Sequence, residues 1–236
     1  GAMIAQLGIV RGVRAGLVVT LFFAALAVLL ARTIKVALVA GAHEGSVRNV
    51  WRSFHPALKR LLISDIIIRM CEGMSGVFLV LYATNVIGIS LAEFGVLVAV
   101  QVTTSILVYL PAAKFADRFG RKPFVLATFF CFALFPLAQI WAASYAALLG
   151  VYVIGGLREI GEPARKAMIV DLAEPHLRGR TVGLYYLMRG FAITPAAVIG
   201  SWLWQTSPEN TFLAAGLIGL IGAFVFAATV SERYAS

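Results

Sequence analysis

Apolar residues in this chain run in long uninterrupted blocks, without the period-of-two alternation of a strand facing water. Seven stretches approach the roughly 20 residues that cross a bilayer as a helix: residues 15–31, 62–87, 91–112, 124–142, 145–168, 181–204 and 211–230. A lipid-exposed backbone must satisfy its own hydrogen bonds, which selects helices for such runs. The pattern therefore predicts an all-α polytopic membrane protein, a six-helix transmembrane bundle preceded by one extra span.

The polar connections orient it. Residues 84–90, 143–144 and 205–210 contain no lysine or arginine, whereas 114–122 and 165–180 carry four each. Loops rich in cations stay on the cytoplasmic side, so the basic loops and the C-terminus are expected inside a plasma (bacterial inner) membrane. The first span, with Arg11 and Arg14 at its start, leaves its own orientation open. Between it and the bundle, residues 33–60 hold Lys35, Arg48, Arg52, Lys59 and Arg60, with Trp51, Phe54, Ala57 and Leu61 at helical spacing. That combination predicts a basic cytoplasmic linker with an amphipathic helix on the headgroups. The expected organisation is a protease scar at 1–3, a first span at 4–32, the linker at 33–60, the bundle at 61–231 and a cytoplasmic tail at 232–236.

Composition narrows the class. The chain is 61% hydrophobic and 13% charged, with mean hydropathy +0.91; a soluble domain carries about a quarter charged residues. The net charge of +9 lies largely at span ends, which points to membrane lipids and away from nucleic acid. Cys71 and Cys131 sit in apolar runs and His43, His55 and His176 lie far apart, so neither a metal site nor a cofactor is expected. No phosphate-binding loop, paired catalytic acids or nucleophile–base set is present, which disfavours an ATP-driven pump or a membrane enzyme.

The candidate chemistry is charge inside the spans. Asp65, Arg69 and Glu72 are four and three residues apart and share a helix face. At about 1.5 Å per residue, Glu72 stands about 15 Å into its span, where a charge must pair, neutralise or meet water. Glu72 is a candidate protonation site with Arg69 its partner or an anion ligand; a purely structural ion pair is an equal reading. Further along, Arg158, Glu162 and Lys166, each four residues apart, are read as a ladder on one helix stripe, with Pro163 bending that helix. Glu159 is grouped with Asp65, Arg69, Glu72, Arg158 and Arg189 as a candidate for coupling or the substrate cavity. Arg189, midway in the next apolar run, is expected to seek a cavity or a carboxylate such as Glu72. Gly73 and Gly76 are expected to allow close approach, and Gly216, Gly219 and Gly222 to form a packing stripe. Arg69, Arg158 and Arg189 lean towards anionic or zwitterionic solutes, with helix pairing an equal reading. Tyr185, Tyr186, Trp202 and Trp204 read as core or interfacial residues.

The loop Asp117-Arg118-Phe119-Gly120-Arg121-Lys122, between two spans, resembles motif A of the major facilitator superfamily of secondary transporters. Ala113 stands where the motif opens with glycine. The resemblance implies a major facilitator bundle over about residues 62–231, with 13–60 as sixth helix and central linker of a twelve-helix carrier. The chain would then be the C-terminal half; an N-terminal half with a leader span is the competing register. The function implied is transport of a small-molecule solute by alternating access, with proton coupling as a further expectation. The missing half or a second copy is the implied partner. Arg165 and Lys166 are expected to face Asp117 and close a cytoplasmic gate, with Glu162 and Asp171 beside them. Arg158 is the nearest match to an arginine implicated in proton coupling in antiporter members. Gly183, Gly190, Thr194-Pro195 and Gly200 resemble a degraded antiporter glycine–proline motif, Gly190 and Pro195 serving as a bend. A half-length scaffold or sensor, or a homodimerising half-transporter, remains an alternative.

Overall fold

The computed structural model of the protein describes residues 8–33 and 46–231. The scar (1–7 includes it), the first part of the linker (34–45) and the tail (232–236) lie outside the described residues. Within the described residues the regular elements are helices: α1 (Ile9–Thr33), α2 (Val47–Arg52), α3 (Pro56–Ser75), α4 (Leu91–Phe119), α5 (Lys122–Trp141), α6 (Tyr145–Leu157), α7 (Glu162–Asp171), α8 (Arg178–Ile193), α9 (Ala196–Thr206) and α10 (Pro208–Thr229). A tight 3-10 turn at Gly76–Phe78 and a π turn at Tyr82–Val86 carry α3 onward to Val86. Among the described residues six stretches are individually long and apolar enough to cross a membrane. α6 and α7, separated by a turn at residues 158–161, are each shorter than these stretches.

Helix starts follow local chemistry. Ser90 and Glu93 close a capping box on α4, each side chain accepting from the other's backbone N–H. Ser144 Oγ accepts from Ala147 N–H at the start of α6, and His55 Nδ1 accepts from Ala57 N–H at the start of α3. Proline, which lacks the N–H that a first turn leaves unpaired, opens α3, α5, α7 and α10. Between α4 and α5, Gly120 adopts φ 96°, a left-handed conformation that a side chain would strain.

Packing centres on α3, α5 and α10. A Cβ at Gly219 would stand 2.8 Å from the Ala133 backbone, and one at Gly222 would stand 3.0 Å from Ile68. The glycine stripe of α10 thus lets it lie directly on both neighbours. Phe129 and Phe226 meet edge to face at 5.0 Å, and Tyr82 and Phe212 do so at 4.9 Å. α4 lies against α6 at Gly156, where a Cβ would come within 2.4 Å of Thr104 and 2.6 Å of the Gln101 carbonyl. α9 lies against α3 at Gly200, whose Cβ position is 2.3 Å from the Met74 carbonyl. The outward faces of α1, α4, α8 and α9 expose Phe22, Leu107, Phe191 and Trp202, as lipid contact requires.

The structure departs from the sequence expectations in local ways. The single amphipathic helix through Trp51, Phe54, Ala57 and Leu61 is two helices, interrupted at Ser53–His55 ahead of Pro56. Val50 and Phe54 are buried in the main core cluster instead of lying on headgroups. The expected span over 145–168 is broken at 158–161, just before Pro163. Gly73 does meet a neighbour, Ala196 Cβ at 2.9 Å, but nothing approaches Gly76, Gly183 or Gly190 within 4 Å. Gly190 is therefore not a contact point, and the α8–α9 break falls at Thr194-Pro195.

One end of the bundle gathers the basic loops. Lys122 Nζ donates to the Ala227 carbonyl at 2.9 Å, and Arg60 Nη1 donates to the Thr229 carbonyl at 3.1 Å. Both carbonyls belong to the last turn of α10, where unpaired acceptors and the helix dipole favour cations.

Candidate functional site

Four elements bring charge to one place inside the bundle. α3 contributes Asp65, Arg69 and Glu72; the 158–161 turn contributes Arg158; α7 contributes Glu162 and Arg165; α8 contributes Tyr185 and Arg189. Asp65 is the hub. Its Oδ2 accepts from Arg165 Nη1 at 2.7 Å, Tyr185 Oη at 2.9 Å and Arg189 Nη1 at 3.3 Å. Arg165 turns its other edge to Glu162, with Nε at 3.1 Å and Nη2 at 2.7 Å from its two oxygens. Glu162 also accepts from Arg69 Nη2. Arg69 then pairs with Glu72 at 2.7 Å, and Glu72 reaches Arg158 Nη1 at 3.7 Å.

Burial makes this arrangement costly unless it is complete. Asp65 is fully buried, and Arg165 and Glu162 are 1% and 4% exposed. A bidentate guanidinium–carboxylate contact is the geometry that best offsets such desolvation. Aromatic rings supply the rest: Phe132 lies under Arg69 at 4.7 Å and under Arg158 at 4.9 Å, and Tyr186 lies under Arg189 at 4.6 Å. Asp65 Oδ1, Arg69 Nε and Arg189 Nε are buried without a hydrogen-bond partner. Glu72 differs from the other acids, with 38% of its side chain exposed.

The backbone at the α6–α7 break is also accounted for. Glu159 and Ile160 N–H donate three residues back, to Gly156 and Leu157. Gly161 N–H donates to Thr128 Oγ1 at 2.6 Å, and Arg158 Nε donates to the Gly155 carbonyl at 2.9 Å. A Cβ on Gly161 would lie 2.1 Å from the Phe124 carbonyl, so glycine lets this turn touch α5.

Several residue assignments change. The Arg158–Glu162–Lys166 ladder is absent, because the turn rotates Arg158 towards Glu72 and leaves Glu162 to Arg69 and Arg165. Arg165 does not face Asp117, since its whole guanidinium is engaged in the core. Arg189 finds Asp65 and not Glu72. Tyr185, read as core, is a network donor; its position four residues before Arg189 on α8 was the available signal. The lean towards anionic solutes loses its footing, because each of the four arginines has a carboxylate partner.

The motif loop stands apart at the basic end. Asp117 is exposed and lies 3.8 Å from Arg121, which also pairs with Asp171 at the end of α7. Arg118 stacks its guanidinium on Phe119, and Lys166 donates to Tyr109 Oη at 3.4 Å. Asp117, Arg121 and Asp171 thus tie the α4–α5 turn to α7.

Comparison with known proteins gives this arrangement a lineage. The profile of the Major Facilitator Superfamily matches residues 61–236. The chain belongs to that superfamily. It is 28% identical over 181 residues to the uncharacterised MFS-type transporter YqjV of Bacillus subtilis, covering 75% of this chain and 44% of that protein. It is 26% identical over 117 residues to the uncharacterised MFS-type transporter MJ1317 of Methanocaldococcus jannaschii, covering 49% and 29%. It is 35% identical over 95 residues to multidrug resistance protein MdtH of Photorhabdus laumondii, covering 38% and 23%. The chain thus spans less than half the length of these relatives. As a superfamily member with apolar helices of spanning length, it is an integral, multi-pass membrane protein.

Proposed function

We propose that the chain forms one half of a secondary active carrier that moves a small solute by alternating access. The observation that carries this reading is the ion network linking α3, α7 and α8 deep within an apolar bundle. Charges at such depth are expensive and in membrane proteins mark solute or ion pathways. The two broken passes, α6–α7 and α8–α9, supply the discontinuous helices from which transporter sites are built. The coverage of 44% of the Bacillus relative supports a further half as partner.

Within this reading Glu72 is the coupling acid, because it is the most exposed carboxylate of the network. Asp117, Arg121 and Asp171 form the gate at the basic end, which faces the cytoplasm of a bacterial inner membrane by the distribution of its cations. The test is solute flux in proteoliposomes with an imposed pH gradient. Glu72→Gln should abolish pH-driven uptake while leaving exchange of solute at equal pH. Unchanged pH-driven uptake refutes the coupling role, and the absence of any solute flux from the complete protein refutes the carrier reading.

A further inference from the structure

The short helix ahead of the bundle builds a groove with α8. α2 lies against α8, with Val50 buried in the same core cluster as Leu184. Beside that contact the two helices leave a groove of about 750 Å³. Leu184, Leu187, Met188 and Phe191 of α8 form one wall, and Arg48 and Trp51 of α2 stand on the other. Leu187 and Phe191 are 66% and 83% exposed. At about 1.5 Å per residue the α8 wall runs for about 10 Å, roughly two-thirds of the hydrocarbon depth of one leaflet.

The charge around the groove has one sign. Residues 46–64 contain Arg48, Arg52, Lys59 and Arg60 and no acid, and among the described residues no acid lines the groove. Lys59 is held over the Trp51 ring at 5.1 Å, and Arg60 is held on the Thr229 carbonyl at the basic end of the bundle. Arg48 is exposed and, among the described residues, its side chain makes no ion pair and no hydrogen bond. The Ser46 hydroxyl beside it makes no capping bond. The groove thus offers a hydrocarbon wall with an uncommitted guanidinium and a hydroxyl. A soluble anion would leave the wall without a partner, and a zwitterionic headgroup would bring an ammonium that finds no carboxylate. A phospholipid of net negative charge satisfies the whole surface, its phosphate at Arg48 and an acyl chain along Leu187, Met188 and Phe191. Trp51 at the same level is an aromatic residue suited to the headgroup region.

We propose that the groove between α2 and α8 is a binding site for a membrane phospholipid with an anionic headgroup, with Arg48 receiving its phosphate. The choice of the cytoplasmic leaflet rests on the orientation proposed above, but the binding itself is measured without flux. Trp51 serves as the reporter, every other tryptophan of the protein being replaced by phenylalanine (Trp141→Phe, Trp202→Phe and Trp204→Phe in this chain). Vesicles hold phosphatidylglycerol and phosphatidylcholine at one fixed ratio, with bromine on the acyl chains of one lipid or the other, and brominated chains quench indole fluorescence only near contact. Corrected for that ratio, occupancy beside Trp51 should favour phosphatidylglycerol about fivefold, the effect of one cation near an anionic surface. Arg48→Gln should bring the preference close to one. Arg52→Gln, on α2 but outside the groove lining, should leave most of it. Native mass spectrometry gives a second measurement without the tryptophan changes: the unmodified protein should retain phosphatidylglycerol in preference, and Arg48→Gln should retain less.

The proposal is overturned if the two lipids quench Trp51 alike or if Arg48→Gln keeps the preference in either measurement. It is also overturned if Arg52→Gln removes the preference as fully as Arg48→Gln, because a diffuse field and not a site then attracts the lipid. Absence of quenching by both lipids overturns it too, since another part of the carrier then covers the groove. The expected lipid preference in a protein without solute flux sinks the carrier reading alone. Solute flux without the preference sinks this site alone.

Discussion

Arg165 Nη1 lies 2.7 Å from Asp65 Oδ2, and neither side chain is reached by solvent. The contact joins residues 100 positions apart and fastens α7 to α3 in the middle of the bundle. Because both charges are withdrawn from water, the pair is strong only while both partners are present. Loss of one strands the other in a low-dielectric interior.

Asp65→Ala should therefore be among the most damaging substitutions in the chain. It leaves Arg165, Arg189 and Tyr185 without their common acceptor, at a cost of about 3–5 kcal/mol for breaking a buried pair. Thermal unfolding in detergent should show a large drop in Tm and poor recovery of folded protein. Asp65→Asn, which keeps an acceptor oxygen, should fall between Asp65→Ala and the unmodified protein.

The glycines divide into two classes that mutagenesis can separate. Gly156→Ala, Gly161→Ala and Gly200→Ala each push a methyl into backbone or Cβ atoms at 2.1–2.4 Å, and overpacking of this kind costs about 1–3 kcal/mol. Gly183→Ala and Gly190→Ala meet nothing within 4 Å and lie within α8, where alanine is favoured by about 0.5–1 kcal/mol. Melting curves should move down for the first set and stay level or rise for the second.

At the motif loop, stability and function should part. Asp117 is 72% exposed and 3.8 Å from Arg121; pairs of this kind contribute about 0–1 kcal/mol. Asp117→Asn should leave the Tm unchanged within error. Under the gate reading it should nonetheless lower solute flux in proteoliposomes severalfold. Flux equal to that of the unmodified protein removes Asp117 from the gate.

Lys122→Ala and Arg60→Ala should each loosen the end of α10. Cations at a helix C-terminus contribute about 0.3–1 kcal/mol apiece, so global unfolding will move little. Hydrogen exchange is the sharper probe: amides near Thr229 should exchange faster in either variant, while those around Gly219 keep their protection.

Much of this was legible in the residues themselves. The apolar blocks foretold long helices, and the four- and three-residue spacing in α3 placed Asp65, Arg69 and Glu72 on one face. The α10 glycines were read as a packing stripe, and they pack. What escaped was the partner choice of each arginine. Helical periodicity linked Arg158 to Glu162, but that link holds only if the helix is continuous. The 158–161 turn depends on a long-range bond, Gly161 N–H to Thr128 Oγ1, which no local pattern announces. Tyr185 was missed for a related reason: a tyrosine among apolar neighbours looks like core until its hydroxyl finds a carboxylate 120 positions away.

The two interrupted passes have a mechanical consequence. A continuous helix resists bending along its axis like a strut, whereas α6–α7 and α8–α9 each contain an elbow with short-range or side-chain bonds in place of the regular ladder. α5 and α10 each stay α-helical throughout, α5 with one ladder donor missing at Pro136, and they are joined at their basic end through Lys122. Load applied to this bundle should therefore concentrate at residues 158–161 and 194–195. The halves of those two passes next to the Asp117 turn could tilt while α5 and α10 serve as the frame.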